Sequence, residues 1–206
     1  MKVAFGMKAH SGWAVLVVVG KRGGDHVVVD RCRVELVEEE WAKQPYHAAE
    51  SLKPGAARDM VERGVEGARR MALRELRLAV KREQERRNEV TTCAVLVGNP
   101  MPDWTVEEIR SVHFRMHQAE GVLFRDALVD ATKTCGLRPV AIPEKALAKH
   151  AESALGIPAS SLVKQIAALG KSVGPPWGKD QKDAALAALV ALQGRGKREE
   201  KRRTIR

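Results

Sequence analysis

Val3-Ala4-Phe5-Gly6-Met7, then Trp13-Ala14-Val15-Leu16-Val17-Val18-Val19, then His26-Val27-Val28-Val29-Asp30-Arg31-Cys32-Arg33-Val34-Glu35-Leu36-Val37 open the chain as three apolar, β-branched runs. Ser11-Gly12 and Lys21-Arg22-Gly23-Gly24-Asp25 separate them, and such residues make turns. Strands joined by turns this short pair antiparallel, so the segment predicts a three-stranded meander. In the third run, a strict period of two places Val28, Cys32, Val34 and Leu36 on one face and Arg31, Arg33 and Glu35 on the other. That strand is expected to be half-buried.

Outward from the meander, a loop with Pro45 and Pro54 leads to a long helical pattern over 56–88. Val61, Val65, Ala68, Ala72, Leu76 and Ala79 recur at three- and four-residue steps as its apolar stripe. The outer face carries arginines and lysines, Arg69, Arg70, Arg77 and Lys81 among them, interleaved with six acids. It reads either as ordinary ion-pair lacing along a helix or as a phosphate-binding stripe. The continuous apolar run 90–98 predicts a strand covered on both faces. Thr105-Val106-Glu107-Glu108 is a capping box opening a second helix that ends near Gly136. A brief strand follows over 137–142, closed by Pro143, then short helices over 144–155 and 159–169. After Gly174-Pro175-Pro176-Trp177-Gly178 a last helix is expected over 180–192. The order β-β-β-α-β-α-β-α-α-α predicts an α/β fold. Its sheet is mixed and five-stranded, an antiparallel meander plus two parallel strands, with helices flanking it.

The whole chain has 206 residues, 44% hydrophobic and 30% charged, which suits one globular domain and excludes collagen-like or wholly disordered classes. The longest apolar run, 13–19, is too short to cross a bilayer and lacks signal-peptide flanks, so no membrane association and a cytoplasmic location are expected. Cys32, Cys93 and Cys135 show no metal or disulfide spacing and read as free thiols. A formal charge of +10 points to a polyanion partner. Half of that excess lies in a tail over 194–206, where Arg195, Lys197, Arg198, Lys201, Arg202, Arg203 and Arg206 face only Glu199 and Glu200. The tail lacks apolar periodicity and reads as a disordered basic arm appended to a domain over 1–193. Aromatics at 4% argue against a stacking platform for single strands.

This element order is that of the ribonuclease H-like fold. His117-Gln118-Ala119-Glu120-Gly121-Val122, the strand Leu137-Arg138-Pro139-Val140-Ala141-Ile142 and the segment Lys179-Asp180-Gln181-Lys182-Asp183-Ala184-Ala185-Leu186 resemble counterparts in the RuvC-type Holliday-junction resolvases. The resemblance implies four carboxylates holding two divalent metals, Mg²⁺ or Mn²⁺, that activate water against a phosphodiester. It places two of them at Asp180 and Asp183. The first-strand aspartate falls on Lys8, and the fourth-strand glutamate falls within Val97-Gly98-Asn99, where nothing is acidic. An ammonium in place of a ligand repels metals. The expectation is therefore a degenerate site in which Lys8 pairs with Asp180 or Asp183. Alternatively the two aspartates serve only the helix start, as an N-cap and an N3 acid. Asp103 and Asp30 are the candidate improvised ligands if the site is live.

Three functions follow: a catalytically degenerate RuvC-like protein binding DNA or RNA, an active Mg²⁺- or Mn²⁺-dependent nuclease using Asp180 and Asp183, or an assembly protein binding an acidic partner. In the first, Arg69, Arg70, Arg77, Lys81, Arg195, Lys197, Arg198, Arg202 and Arg203 contact phosphates. The resemblance also suggests a homodimer. His10, beside Lys8, is a candidate general base. His113 and His117 have a spacing compatible with one metal, but Phe114 follows the first where the zinc-protease pattern needs Glu, so they read as surface histidines. No glycine-rich phosphate loop and no serine nucleophile elbow is present.

Overall fold

The computed structural model describes the backbone of residues 1–203 and the side chains of residues 1–194. Five strands, β1 (Lys2–His10), β2 (Trp13–Arg22), β3 (Asp25–Glu35), β4 (Glu89–Val97) and β5 (Arg138–Pro143), form one sheet in the order β3-β2-β1-β4-β5. β1, β2 and β3 pair antiparallel, and β1, β4 and β5 pair parallel. The helices are α1 (Pro45–Ala48), α2 (Pro54–Glu85), α3 (Val106–Arg110), α4 (His113–Thr134), α5 (Leu147–Leu155), α6 (Ala159–Val173) and α7 (Lys179–Arg203).

Alternation along the strands divides the core between two sheet faces. Phe5, Met7, Leu16, Cys93 and Val95 point toward α2 and α4, whereas Ala4, Val15, Val17, Ala94 and Leu96 meet α5, α6 and α7. With helices on both sides, β1, β2 and β4 are buried on both faces, as continuous apolar runs require. Each fully buried side chain such as Phe5 or Leu16 contributes about 1.5–3 kcal/mol.

Three departures from the periodicity have physical causes. The β2–β3 register shifts between Val18 and Val19, which face Asp30 and Val28, so Val29 is the extra residue of a bulge. The bulge reverses parity: Val28 packs on the α7 side, whereas Cys32 and Val34 pack on the α2 side. The capping box at Thr105 is present, but its helix stops after Arg110. Ser111 Oγ donates to the Glu108 carbonyl at 2.9 Å and Val112 is extended, so α4 begins afresh at His113. At the other end, α7 runs past the expected stop at Leu192, for no proline or left-handed glycine cap interrupts it there. The tail residues Arg195, Lys197, Arg198, Arg202 and Arg203 lie outside the described side chains. Among described residues, no helix is long and apolar enough to cross a membrane.

Both long helices on the first face end in Schellman motifs. Leu137 and Gly136 donate to the Thr132 and Lys133 carbonyls after α4, and Asn88 and Arg87 donate to Glu83 and Gln84 after α2. Gly136 takes the left-handed position without cost, at φ 71°, but Arg87 occupies its equivalent at φ 59°. Arg87→Gly should therefore raise the stability of the protein by about 1 kcal/mol. Urea denaturation checks this, and a variant no more stable than the parent would show that the turn carries no strain.

Candidate functional site

The site stands at the carboxyl ends of β1, β4 and β5, the edge of a parallel sheet where ligand sites form. Lys8 faces α7 from β1, with its side chain only 7% exposed. Gly6, two residues earlier on the same face, lets α7 approach: a Cβ there would lie 1.9 Å from the Ala184 carbonyl oxygen. Arg31 fixes the approach from β3, donating to the carbonyls of Val173 at 3.1 Å, Pro175 at 2.7 Å and Pro176. Trp177 completes it by donating from Nε1 to the Ile166 carbonyl at 3.0 Å over Gly170.

The Lys8 ammonium lies 2.8 Å from Asp183 Oδ2, 3.1 Å from Asp180 Oδ1 and 2.9 Å from Glu144 Oε1. Three N–H donors thus meet three carboxylates. Burial alone would depress the Lys8 pKa, but the bonds to Asp183, Glu144 and Asp180 outweigh it and hold the group above its ordinary value. Burial likewise pushes Asp180 up, while Lys8 and His10 together bring it below the usual carboxylate range.

The pairing expected of Lys8 is present with both aspartates. α7 begins at Lys179, so Asp180 lies within its first turn and not at the N-cap expected for it; the backbone N–H of Gly178 donates to Gln181 Oε1 at 2.9 Å, and both carboxylates meet Lys8. Lys179 reaches Asp183 as well, at 2.6 Å. His10 stands with its Nε2 3.1 Å from Asp180 Oδ2, stacks on Trp13 at 4.3 Å between centroids, and Arg33 covers the other ring at 4.0 Å. Neither improvised ligand joins the cluster. Asp103 is exposed in its loop. Asp30 faces the opposite sheet side, where Arg86 lies 2.9 Å away, because the bulge sets it toward α2.

Sequence reading missed Glu144. The register pairs Val97 with Pro143, so the residue after β5 lies beside the end of β4, where the resemblance implied a glutamate. An acid directly following a parallel strand was the available signal. At the β4 end itself an arginine intrudes: the Arg125 Nη1 lies 2.5 Å from where a Gly98 Cβ would stand, and its Nη2 is 3.8 Å from Glu144. These residues do not fit divalent metal ions. The oxygens that would bind them already converge on Lys8 Nζ, and a second cation flanks Glu144.

Arg69, Arg70, Arg77 and Lys81 are exposed on α2, across the sheet from this cluster. Of the four, only Lys81 comes within 4.0 Å of an acid among the described residues, at Glu85. The three cysteines are free, and burial pushes Cys93 up to about 12, leaving it inert as a nucleophile.

A meander whose first strand continues in parallel with two further strands, in the order 3-2-1-4-5, is the ribonuclease H-like sheet, and the protein has that fold. Among solved structures, the chain is similar to Thermus thermophilus RuvC, with 16% identity, a TM-score of 0.45, and 91% of this chain and 92% of that one covered. It is also similar to T. thermophilus RuvC in complex with Holliday junction substrate, at 13% identity and TM-score 0.47, covering 92% of each chain. An Aquifex aeolicus member of the Ppx/GppA family matches at 12% identity and TM-score 0.35, over 74% of this chain and 39% of that one. No protein-family model and no curated protein sequence matches. The likeness is one of fold.

Proposed function

We propose that the protein binds nucleic acid on a ribonuclease H-like fold whose phosphodiester-cleaving centre has been replaced by an ion-pair cluster. The observation that carries this reading is Lys8, whose ammonium pairs with each of Glu144, Asp180 and Asp183. No step of metal-assisted hydrolysis is assigned to it.

Two surfaces support an anionic partner. The exposed cations Arg69, Arg70, Arg77 and Lys81 run along α2. Beside the cluster, a cavity of about 460 Å³ opens between the ends of β4 and β5 with Arg125, Lys145 and Lys179 on its walls. Cations on a surface hold phosphates without reading sequence. The tail arginines and lysines Arg195, Lys197, Arg198, Arg202 and Arg203 belong to the same reading, as does a homodimer.

Gel-shift titration of duplex, branched and single-stranded substrates across a salt series tests it. Affinity should fall steeply with salt, and Arg70→Gln/Arg77→Gln/Lys81→Gln should reduce the logarithmic slope by about 0.9 for each duplex phosphate no longer neutralised. A flat salt profile would reject nucleic acid in favour of an acidic protein partner. No cleavage is expected with Mg²⁺ or Mn²⁺. Cleavage that disappears in Asp180→Asn/Asp183→Asn would overturn the degenerate reading.

A further inference from the structure

Three histidines converge on the sheet face opposite the carboxylate cluster. His47 comes from α1, and His113 and His117 from the first turns of α4. One ring nitrogen of each lies within 4.8 Å of the other two, and the Nε2 atoms of His113 and His117 are 3.1 Å apart. Tetrahedral zinc with nitrogen ligands at about 2.0–2.1 Å needs neighbouring donors about 3.3 Å apart, so the cluster closes on an ion with small rotations of exposed rings.

The decisive feature is how His47 is held. Its Nδ1 lies 2.9 Å from both oxygens of Glu120, and its backbone N–H donates to Oε1 at 3.2 Å. That bond makes Nδ1 the protonated nitrogen and leaves Nε2, which is buried and has no hydrogen-bond partner, as the ring's lone-pair donor. Glu120 itself is 2% exposed, and among the described residues no lysine or arginine pairs with it. A buried carboxylate calls for nearby positive charge. A cation on His47 Nε2 answers both deficits at once, in the carboxylate–histidine–metal arrangement that metal sites use to orient a ligand.

We propose that His47, His113 and His117 bind one divalent transition metal ion, zinc by the character of the ligands, with Glu120 as the outer carboxylate. Three neutral imidazoles leave a fourth position, which faces solvent because His113 and His117 are exposed. The ion ties α1 to α4. It rests on nothing in the Lys8 cluster.

Isothermal titration of the full chain, purified without a histidine tag, with Zn²⁺ and optical titration with Co²⁺ test the site. One ion per chain is expected, with a tetrahedral Co²⁺ spectrum. His113→Ala/His117→Ala, at exposed positions, should keep the parent's circular dichroism and lose binding. Glu120→Gln should weaken it about 10- to 100-fold. His150→Ala, at an exposed position outside the cluster, should bind as the parent does. No binding by the parent, persistence in the double histidine variant, or loss in His150→Ala would each overturn the proposal.

Discussion

Lys8→Met should destabilise the protein by about 3 kcal/mol at neutral pH, the cost of removing one partner from a buried ionic cluster. The lower end of that range applies because Glu144, Asp180 and Asp183 remain 33%, 31% and 20% exposed, so water relieves part of their repulsion. The pH dependence follows from the direction of each shift. Lys8 has a raised folded pKa, so its contribution is full below its unfolded value of about 10.4 and is lost as pH rises through the higher folded one. Asp180 has a lowered one, so its contribution is present above about 3.9 and is lost as pH falls through the folded value. In Lys8→Met, acid protonates the carboxylates and removes their repulsion. The gap between variant and parent should therefore narrow below about pH 4. Guanidinium denaturation at pH 7 and pH 3 measures both. Millimolar Mn²⁺ should restore part of the variant's stability, since three oxygens without an ammonium are suitable hard ligands. A variant as stable as the parent at pH 7 would mean that Lys179, Arg125 and His10 neutralise the cluster unaided.

Gly6→Ala should cost at least about 3 kcal/mol, the upper end for overpacking a core. The added Cβ would sit 1.9 Å from the Ala184 oxygen and 2.7 Å from the Ala188 nitrogen, both backbone atoms that can yield only by moving α7. Displacing α7 also draws Asp180 and Asp183 away from Lys8. Gly20→Ala is the control, because its nearest neighbours are the Val3 and Met1 side chains at 3.0 and 3.1 Å, and Met1 is flexible. Urea midpoints of the two variants compare them. Equal small losses would show that α7 lifts freely, and that close helix–sheet contact does not hold the site.

Much of this was legible along the chain because it is local. The continuous apolar run at 13–19, the three- and four-residue helical steps at 61–79 and the Thr105–Glu108 capping box each depend on neighbours a few positions away. Asp180-x-x-Asp183 and the lysine at position 8 were likewise visible, and a charge argument sufficed to expect their pairing. What stayed hidden depends on register between distant segments. One extra residue, Val29, decides that Asp30 faces α2 and not the cluster. Glu144 enters because β5 ends at Pro143, the partner of Val97, which sets the next residue beside the end of β4. His47 is 66 positions from His113 and has no spacing motif, so its approach to Glu120 exists only once α1 packs on α4.

The sequence by itself determined the five strands, the long helices, their order and the mixed sheet, since backbone hydrogen bonding and the periodicity of apolar side chains act over short stretches. Only the tertiary structure decided which charges meet. An ammonium from β1, a carboxylate after β5 and two from α7 share one site because a glycine on β1 lets helix and sheet approach within backbone contact. Coulomb attraction fixes the partners of a charge only after packing has brought them within a few ångströms.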